Sequence, residues 1–275
     1  MNIFTLLLTQ PLINGLIFFY RILGNNMGLA IIGFSIFLRF ALNPLTKPYM
    51  ESMQRMKKYS YDLEKLKKKH AKDKLKFTQA QADFYKQKGI NPGAGCLPYL
   101  LQIVVLIAFF NVFTKTISGA GEITANVNKL LYNPLKFDQS ETLNTNFLYL
   151  DITKPDSFNI GSLKLPGPIL FMSAFAQLIS SLLISRQGGL EARVAKKTPE
   201  TSDDFQVAMQ RSMTYTFPIF TILIGMRFAS GLALYWLVFS LLQAYQQARA
   251  LEIKSLESLL KALNLVKSDA NGKDK

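Results

Sequence analysis

Five apolar runs, each near the length of a bilayer-crossing helix, constrain this chain more than any other feature. A hydrocarbon core about 30 Å thick needs about 20 apolar residues per helix. Segments 27–46, 97–116, 166–185, 213–228 and 231–248 supply such runs, the fourth being short. The last two meet at an Ala229-Ser230 corner, which makes them antiparallel neighbours. With 49% apolar residues, 21 Phe and only 18% charged residues bunched in this way, the chain reads as an all-α polytopic membrane protein.

Charge orients the spans. The net charge is +14, and segment 51–90 holds twelve Lys or Arg against five Asp or Glu. Segment 119–165 holds four basic and five acidic residues, while segment 186–211 and the tail beyond 249 are basic by small margins. By the positive-inside rule, the first and third connections and the tail are cytoplasmic, with the N-terminus outside and the C-terminus inside. Topology accounts for the basic excess, so no direct nucleic-acid readout is expected.

The expected organisation is an N-terminal interfacial amphipathic helix (1–24), a first span (25–48) and a cytoplasmic helical hairpin (49–92). A second span (93–118), an extracytoplasmic loop (119–165) and a third span (166–186) follow. A cytoplasmic loop (187–211), a hairpin of spans four and five (212–250) and a cytoplasmic tail (251–275) complete the chain. Segment 1–24 lacks a basic start and a small-residue cleavage site, and Pro11 and Gly15 interrupt it. These features favour a helix lying in the interface, with a full span as the open alternative. Segment 51–89 repeats Met53, Met56, Leu63, Leu66, Leu75, Phe77 and Phe84 at helical spacing, with a turn at 70–73. One long charged helix is the alternative to a hairpin. The outer loop reads as irregular with short helices.

Catalytic and metal chemistry find little support. Cys96 and His70 are the only residues of their kinds, which excludes an internal disulfide, a zinc site built from His and Cys, and the usual nucleophile triads. No P-loop pattern is present. The five spans contain no Asp or Glu, whereas proton-coupled transport normally needs a carboxylate or histidine at membrane depth. No enzyme, cofactor or metal is expected.

Arg39 is the most informative residue. It lies twelve residues into the first run, about 18 Å along a helix and past the midplane. A guanidinium there costs about 2.5–3.5 kcal/mol on insertion scales. With no acid in any span, the arginine points to a hydrated cavity open to the cytoplasm; snorkelling to the headgroups is the competing reading. Ser35, one turn earlier, would extend the polar stripe. Gln102 and Gln177 lie at membrane depth and either line that cavity or hydrogen-bond between helices. Tyr235, Trp236 and Tyr215 belong to an aromatic belt, or Trp236 lines the cavity.

Several motifs resemble the YidC/Oxa/Alb family of membrane protein insertases. Asn26-Met27-Gly28, Ala30-Ile31-Ile32, Arg39 and Pro44-Leu45 are similar to its opening span. Ser52-Met53 with Met56 resembles the start of its cytoplasmic hairpin. Phe84-Tyr85, Gly89-Ile90-Asn91-Pro92, Gly95-Cys96-Leu97-Pro98 and Leu100-Leu101-Gln102 resemble its second span and approach. Phe147-Leu148 with Asp151 resembles its outer loop, and Pro166 with Gln177 its third span. Phe228, Ser230-Gly231-Leu232, Leu234-Tyr235-Trp236 and Gln246-Gln247 resemble its closing span. Departures are Met27 for the usual Trp, Ser35 for Thr, Ala229 for Pro and Phe239-Ser240 for Ser-Asn.

The resemblance implies five transmembrane helices around a cytoplasm-open hydrophilic groove holding Arg39, with Ser35, Gln177, Trp236, Gln102 and Tyr235 as groove residues. It implies a bacterial inner-membrane insertase and chaperone that moves nascent hydrophobic segments into the bilayer. Its partners would be nascent membrane proteins and membrane lipids, with the ribosome, the signal recognition particle receptor and the Sec translocon as further candidates. A small anion transporter or channel using the same cavity, and a passive assembly chaperone, stay open as alternatives.

Overall fold

The structure, a computed structural model, describes residues 3–70, 73–91, 97–117, 123–138, 140–187, 202–251, 253, 255 and 258. The chain is mostly helical. Motif residues Pro92, Gly95 and Cys96, the turn residues Ala71 and Lys72, much of the expected 187–211 connection and most of the tail lie outside the described residues.

Helix α1 (Gln10–Ile22) follows a π-helical turn (Thr5–Thr9), and α2 (Met27–Ala41) packs against it. Ile13, Leu16, Ile17 and Tyr20 repeat at three- and four-residue steps and form the buried face of α1. Met27, Ala30, Ile31 and Phe34 do the same on α2. Leu6 and Leu7 on the preceding turn and Phe18 and Ile22 on α1 are exposed, so apolar surface also faces away from the bundle. By length and composition, Thr5–Ile22 and Met27–Leu45 both qualify as membrane spans. The apolar stretches Ile103–Thr114, Pro168–Ile184 and Thr214–Gly225 are shorter.

The first apolar run is not one helix. It breaks at Leu42, and α3 (Asn43–Lys58) begins there. Pro44 explains the break, because it lacks an N–H and its ring clashes with the carbonyl four residues earlier. Helix α4 (Ser60–Lys69) ends at His70, and α5 (Lys74–Lys88) starts from the Asp73 side chain, which accepts from the Lys76 N–H. The two arms run antiparallel. The Ser52 hydroxyl donates to the Asn91 carbonyl at 2.9 Å and accepts from its N–H at 3.1 Å. Tyr59 meets Phe84, and Lys67 lies over Phe77 nearer the turn.

Helix α6 (Leu97–Asn111) continues as a π-helical turn (Val112–Ile117), and the short α7 (Ile123–Asn128) opens the connection to the next long helix, expected from the charge pattern to be the outer loop. This loop is more regular than its sequence suggests. Strands β1 (Asn146–Phe147) and β2 (Leu150–Asp151) form one antiparallel hairpin; β3 (Ser157–Ile160) and β4 (Leu163–Pro166) form another. Gly161 turns the second one, with φ +63°. Helix α8 (Pro168–Gln187) follows almost at once.

Helix α9 (Ser202–Gly225) is 24 residues long and starts well before the expected fourth span; only its second half is an apolar stretch. The corner to α10 (Ser230–Ala250) occupies residues 226–229 rather than Ala229-Ser230. Residues 230–237 of α10 are all buried, and the helix packs mainly on α8 and α2. An element apolar around its circumference belongs at the centre of a bundle.

The outer loop is clamped to α1 along that helix's length. Asn14 donates to the Leu130 carbonyl at 2.9 Å and accepts from the Tyr132 N–H at 2.7 Å. The Tyr20 hydroxyl accepts from the Asn144 N–H. Arg21 makes a two-pronged pair with Glu141 at 2.7 and 2.8 Å and lies over the Phe137 ring. The Arg21 hydrogen bonds, aided by the Asp138 N–H, hold the Glu141 carboxyl down at about 2. A depressed acid supports the folded state fully above its unfolded value and loses that support as pH falls through the folded one. Hydrogen-exchange protection at Asp138 and Glu141, taken relative to intrinsic exchange at each pH, is therefore expected to be high at neutral pH and to fall between about pH 4.5 and about pH 2. A Glu141→Gln variant should show the lower protection already at pH 7.

Candidate functional site

Arg39 occupies the last turn of α2 and reaches across to α10. Phe239 and Gln246 lie seven residues apart on α10, two turns along one face. The Arg39 Nη2 donates to Gln246 Oε1, and the guanidinium carbon sits 4.8 Å over the Phe239 ring centre. The side chain is half-buried, and no carboxylate approaches it among the described residues. Sequence reasoning treated this arginine as partnerless. The structure corrects that with a neutral amide acceptor and a ring face. Both cost less to desolvate than a carboxylate and leave the positive charge uncompensated.

An aromatic column leads away from Arg39 towards the outer loop. Phe239 neighbours Tyr235, whose ring stacks on Phe109 with centroids 4.3 Å apart. Phe109 stacks in turn on Phe113 and touches Phe34. Gly231 lets the column close: a methyl group there would come within 2.3 Å of the Phe113 ring. Tyr235 and Trp236 are both buried in the bundle core, which replaces the expectation of an aromatic belt for this pair. Tyr215 is exposed.

Two of the expected groove residues, Ser35 and Gln177, bond their polar groups to partners other than Arg39. Ser35 is buried and its hydroxyl donates to the Ile31 carbonyl at 2.5 Å, so its own helix consumes the polarity expected to extend the stripe. Gln177 accepts from the Thr221 hydroxyl at 2.7 Å and ties α8 to α9. Gln102 lies on α6, and its side chain is outside those described.

At the opposite end, the outer loop caps two helices. The Asp156 carboxylate, 3% exposed, accepts from the Leu170 N–H at 2.7 Å in the first turn of α8. The Tyr149 hydroxyl donates to Asp156 and accepts from the Ile169 N–H at 2.9 Å. Burial raises the Tyr149 hydroxyl to about 12 against the lowering effect of the Ile169 N–H, and the neighbouring Asp156 adds to the rise. For α10, the Ser230 N–H donates to the Lys154 carbonyl at 2.7 Å and the Gly231 N–H to the Ile152 carbonyl at 3.0 Å. The orphan donors that every helix start presents are thus met by loop groups. Loop and bundle also interlock at Gly28, where a side-chain carbon would overlap the Phe147 ring at 2.0 Å.

Sequence reasoning missed Gln246 and Phe239 as partners of Arg39, although a donor at that depth demands an acceptor and Gln246 ends the last span. It also missed Asp156, whose separation from α8 follows no local spacing rule.

A mostly helical bundle with two helices long and apolar enough to cross a membrane, and further apolar helices beside them, is the architecture of a helical membrane protein. Residues 18–255 match the model of the family described as 60Kd inner membrane protein. The chain is 31% identical over 222 residues to the membrane protein insertase YidC of Fusobacterium nucleatum, covering 81% of this chain and 84% of that protein. It is 31% identical over 255 residues to the membrane protein insertase YidC of Pelagibacter ubique, covering 92% of this chain but 40% of that longer protein. Its likeness to the membrane protein insertase YidC of Caulobacter vibrioides is 43% over 109 residues, 40% of this chain and 18% of that protein. The chain belongs to the 60Kd inner membrane protein family, the YidC/Oxa group.

Removing the Asp156 carboxylate strands the Leu170 N–H and the Tyr149 hydroxyl, at about 1–3 kcal/mol for each orphaned group. Removing the Thr221 hydroxyl costs about 0.6 kcal/mol, the average for hydrogen bonds between membrane helices. Unfolding in bicelles is therefore expected to show a clearly larger loss of stability for Asp156→Ala than for Thr221→Val.

Proposed function

We propose that the chain is a membrane protein insertase that moves nascent hydrophobic segments from the cytoplasm into the bilayer. The observation that carries the reading is Arg39: a half-buried guanidinium held by a neutral amide and a ring, with no carboxylate beside it among the described residues. The family membership and the relatives' common name support it.

In this reading α2, α6, α8, α9 and α10 are the five spans, the N-terminus is outside and the C-terminus is cytoplasmic. Helix α1 lies in the outer interface, since Asn14, Tyr20 and Arg21 all meet the outer loop along it. The paired arms α3, α4 and α5 stand in the cytoplasm and meet the emerging substrate with their basic surface. Ribosome, signal recognition particle receptor and Sec translocon are further partners of this scheme.

The aromatic column and the capping loop support a groove closed on the outside. Arg39, near the cytoplasmic end of α2, would draw in the acidic leading segment of a substrate. A carboxylate accepts from a guanidinium through two parallel bonds, so it displaces the single amide acceptor of Gln246. Water in the groove lowers the cost of carrying polar groups part-way across. The apolar segment then leaves into lipid, driven by roughly 25 cal/mol per Å² of apolar surface removed from water. The alternative, an anion transporter or channel, uses the same cation without a nascent chain.

The test uses liposomes containing only this protein. Arg39→Ala should slow insertion of a single-span substrate with an acidic leader by roughly tenfold, the equivalent of a charge-assisted hydrogen bond of about 1.5 kcal/mol. Arg39→Lys should retain much of the activity. Gln246→Glu, which supplies a permanent internal carboxylate, should inhibit acidic leaders and spare neutral ones. Equal rates for all forms would remove the electrostatic role. An anion flux independent of any substrate would favour the transporter, and normal folding of already inserted spans without insertion would favour a passive chaperone.

A further inference from the structure

The outer loop carries an apolar surface that neither the caps nor the groove uses. Strands β3 and β4 pair Phe158 with Leu165 and Ile160 with Leu163. Cross-strand partners share a face of a hairpin, and so do residues two apart. All four apolar side chains therefore lie on one face. The other face carries the pairs Asn159 with Lys164 and Ser157 with Pro166. The apolar face is open: Phe158, Ile160 and Leu163 are 46%, 62% and 61% exposed. Lys164 is the only charged residue in segment 157–166.

The hairpin's position says what covers that face. Strand β4 ends at Pro166 and α8 begins at Pro168. Phe171, Met172 and Phe175 on α8 are large, apolar and exposed, so lipid-facing surface begins within about one helical turn of the hairpin's base. A two-stranded ribbon with an apolar face and a cationic polar face fits the boundary between acyl chains and anionic headgroups. Four side chains offer much less area than the roughly 1,200 Å² of a stable protein interface, which disfavours a second copy as the occupant.

We propose that the β3–β4 hairpin is a lipid anchor, lying on the outer leaflet with Phe158, Ile160, Leu163 and Leu165 in the acyl boundary and Asn159 and Lys164 towards water. The anchor holds the outer loop down on the bilayer at the start of α8. The inference rests on the membrane placement of α8 given under the proposed function.

The experiment uses the full chain with Cys96→Ser, reconstituted in phosphatidylcholine and phosphatidylglycerol vesicles. A nitroxide is attached in turn to Ile160→Cys, Asn159→Cys and Phe175→Cys. Collisions with oxygen report lipid, and collisions with a water-soluble nickel chelate report water. Position 160 should resemble position 175, with an oxygen-to-nickel accessibility ratio severalfold above that of position 159. Nickel access at both 159 and 160, with 175 still in lipid, would overturn the anchor and leave the span intact. Shielding of 160 from both reagents would also overturn it, because protein rather than lipid would cover the face. Nickel access at 175 would overturn the placement of α8, and the anchor with it.

Discussion

A backbone N–H with no partner at membrane depth costs several kcal/mol, and every helix start presents such groups. The N-terminal ends of α8 and α10 meet this requirement with groups from one loop. Asp156 and Tyr149 serve α8; the carbonyls of Ile152 and Lys154 serve α10. The loop is for this reason part of the bundle. Its two hairpins, its clamp on α1 through Arg21 and Glu141, and the seating of Phe147 against Gly28 bring it to where those caps are needed.

The buried charge of Asp156 and the half-buried charge of Arg39 are solved in opposite ways. Asp156 is enclosed by donors from a helix start and a tyrosine, so its charge is spent on structure. Arg39 has an amide oxygen and a ring face, which orient it without neutralising it. Oppositely charged groups gain most when one of them is already placed in a low-dielectric setting and still unpaired by charge. Near Asp156 the charge is fully engaged by hydrogen bonds, whereas Arg39 has one neutral acceptor and a ring face.

Much of this was legible along the chain. The helices follow the apolar runs, and the arms of α4 and α5 follow the three- and four-residue steps around the turn at 70–73. Other features had signals that were passed over. Asn43-Pro44 breaks the first run, as a proline ring must. The stretch from Phe158 to Leu165 alternates apolar and polar residues around Gly161-Ser162, a hairpin pattern hidden within a segment rich in turn residues. Helix α9 extends back to Ser202 through polar residues, because a helix leaving the bilayer need not stop where its apolar surface does. Ser35 offered a hydroxyl at the right spacing, but spacing cannot tell whether a hydroxyl faces a groove or bonds back to Ile31.

The sequence by itself determined the solvent of this protein, the extent of its apolar runs and the place of Arg39 within the first of them, because these depend on the order of apolar and charged residues along one chain. Only the tertiary structure decided which groups answer the polar atoms left over. Gln246 is 207 residues from Arg39, and Asp156 reaches Leu170 across a folded hairpin. Such pairings are set by how helices and loop pack in three dimensions, and no local periodicity encodes them.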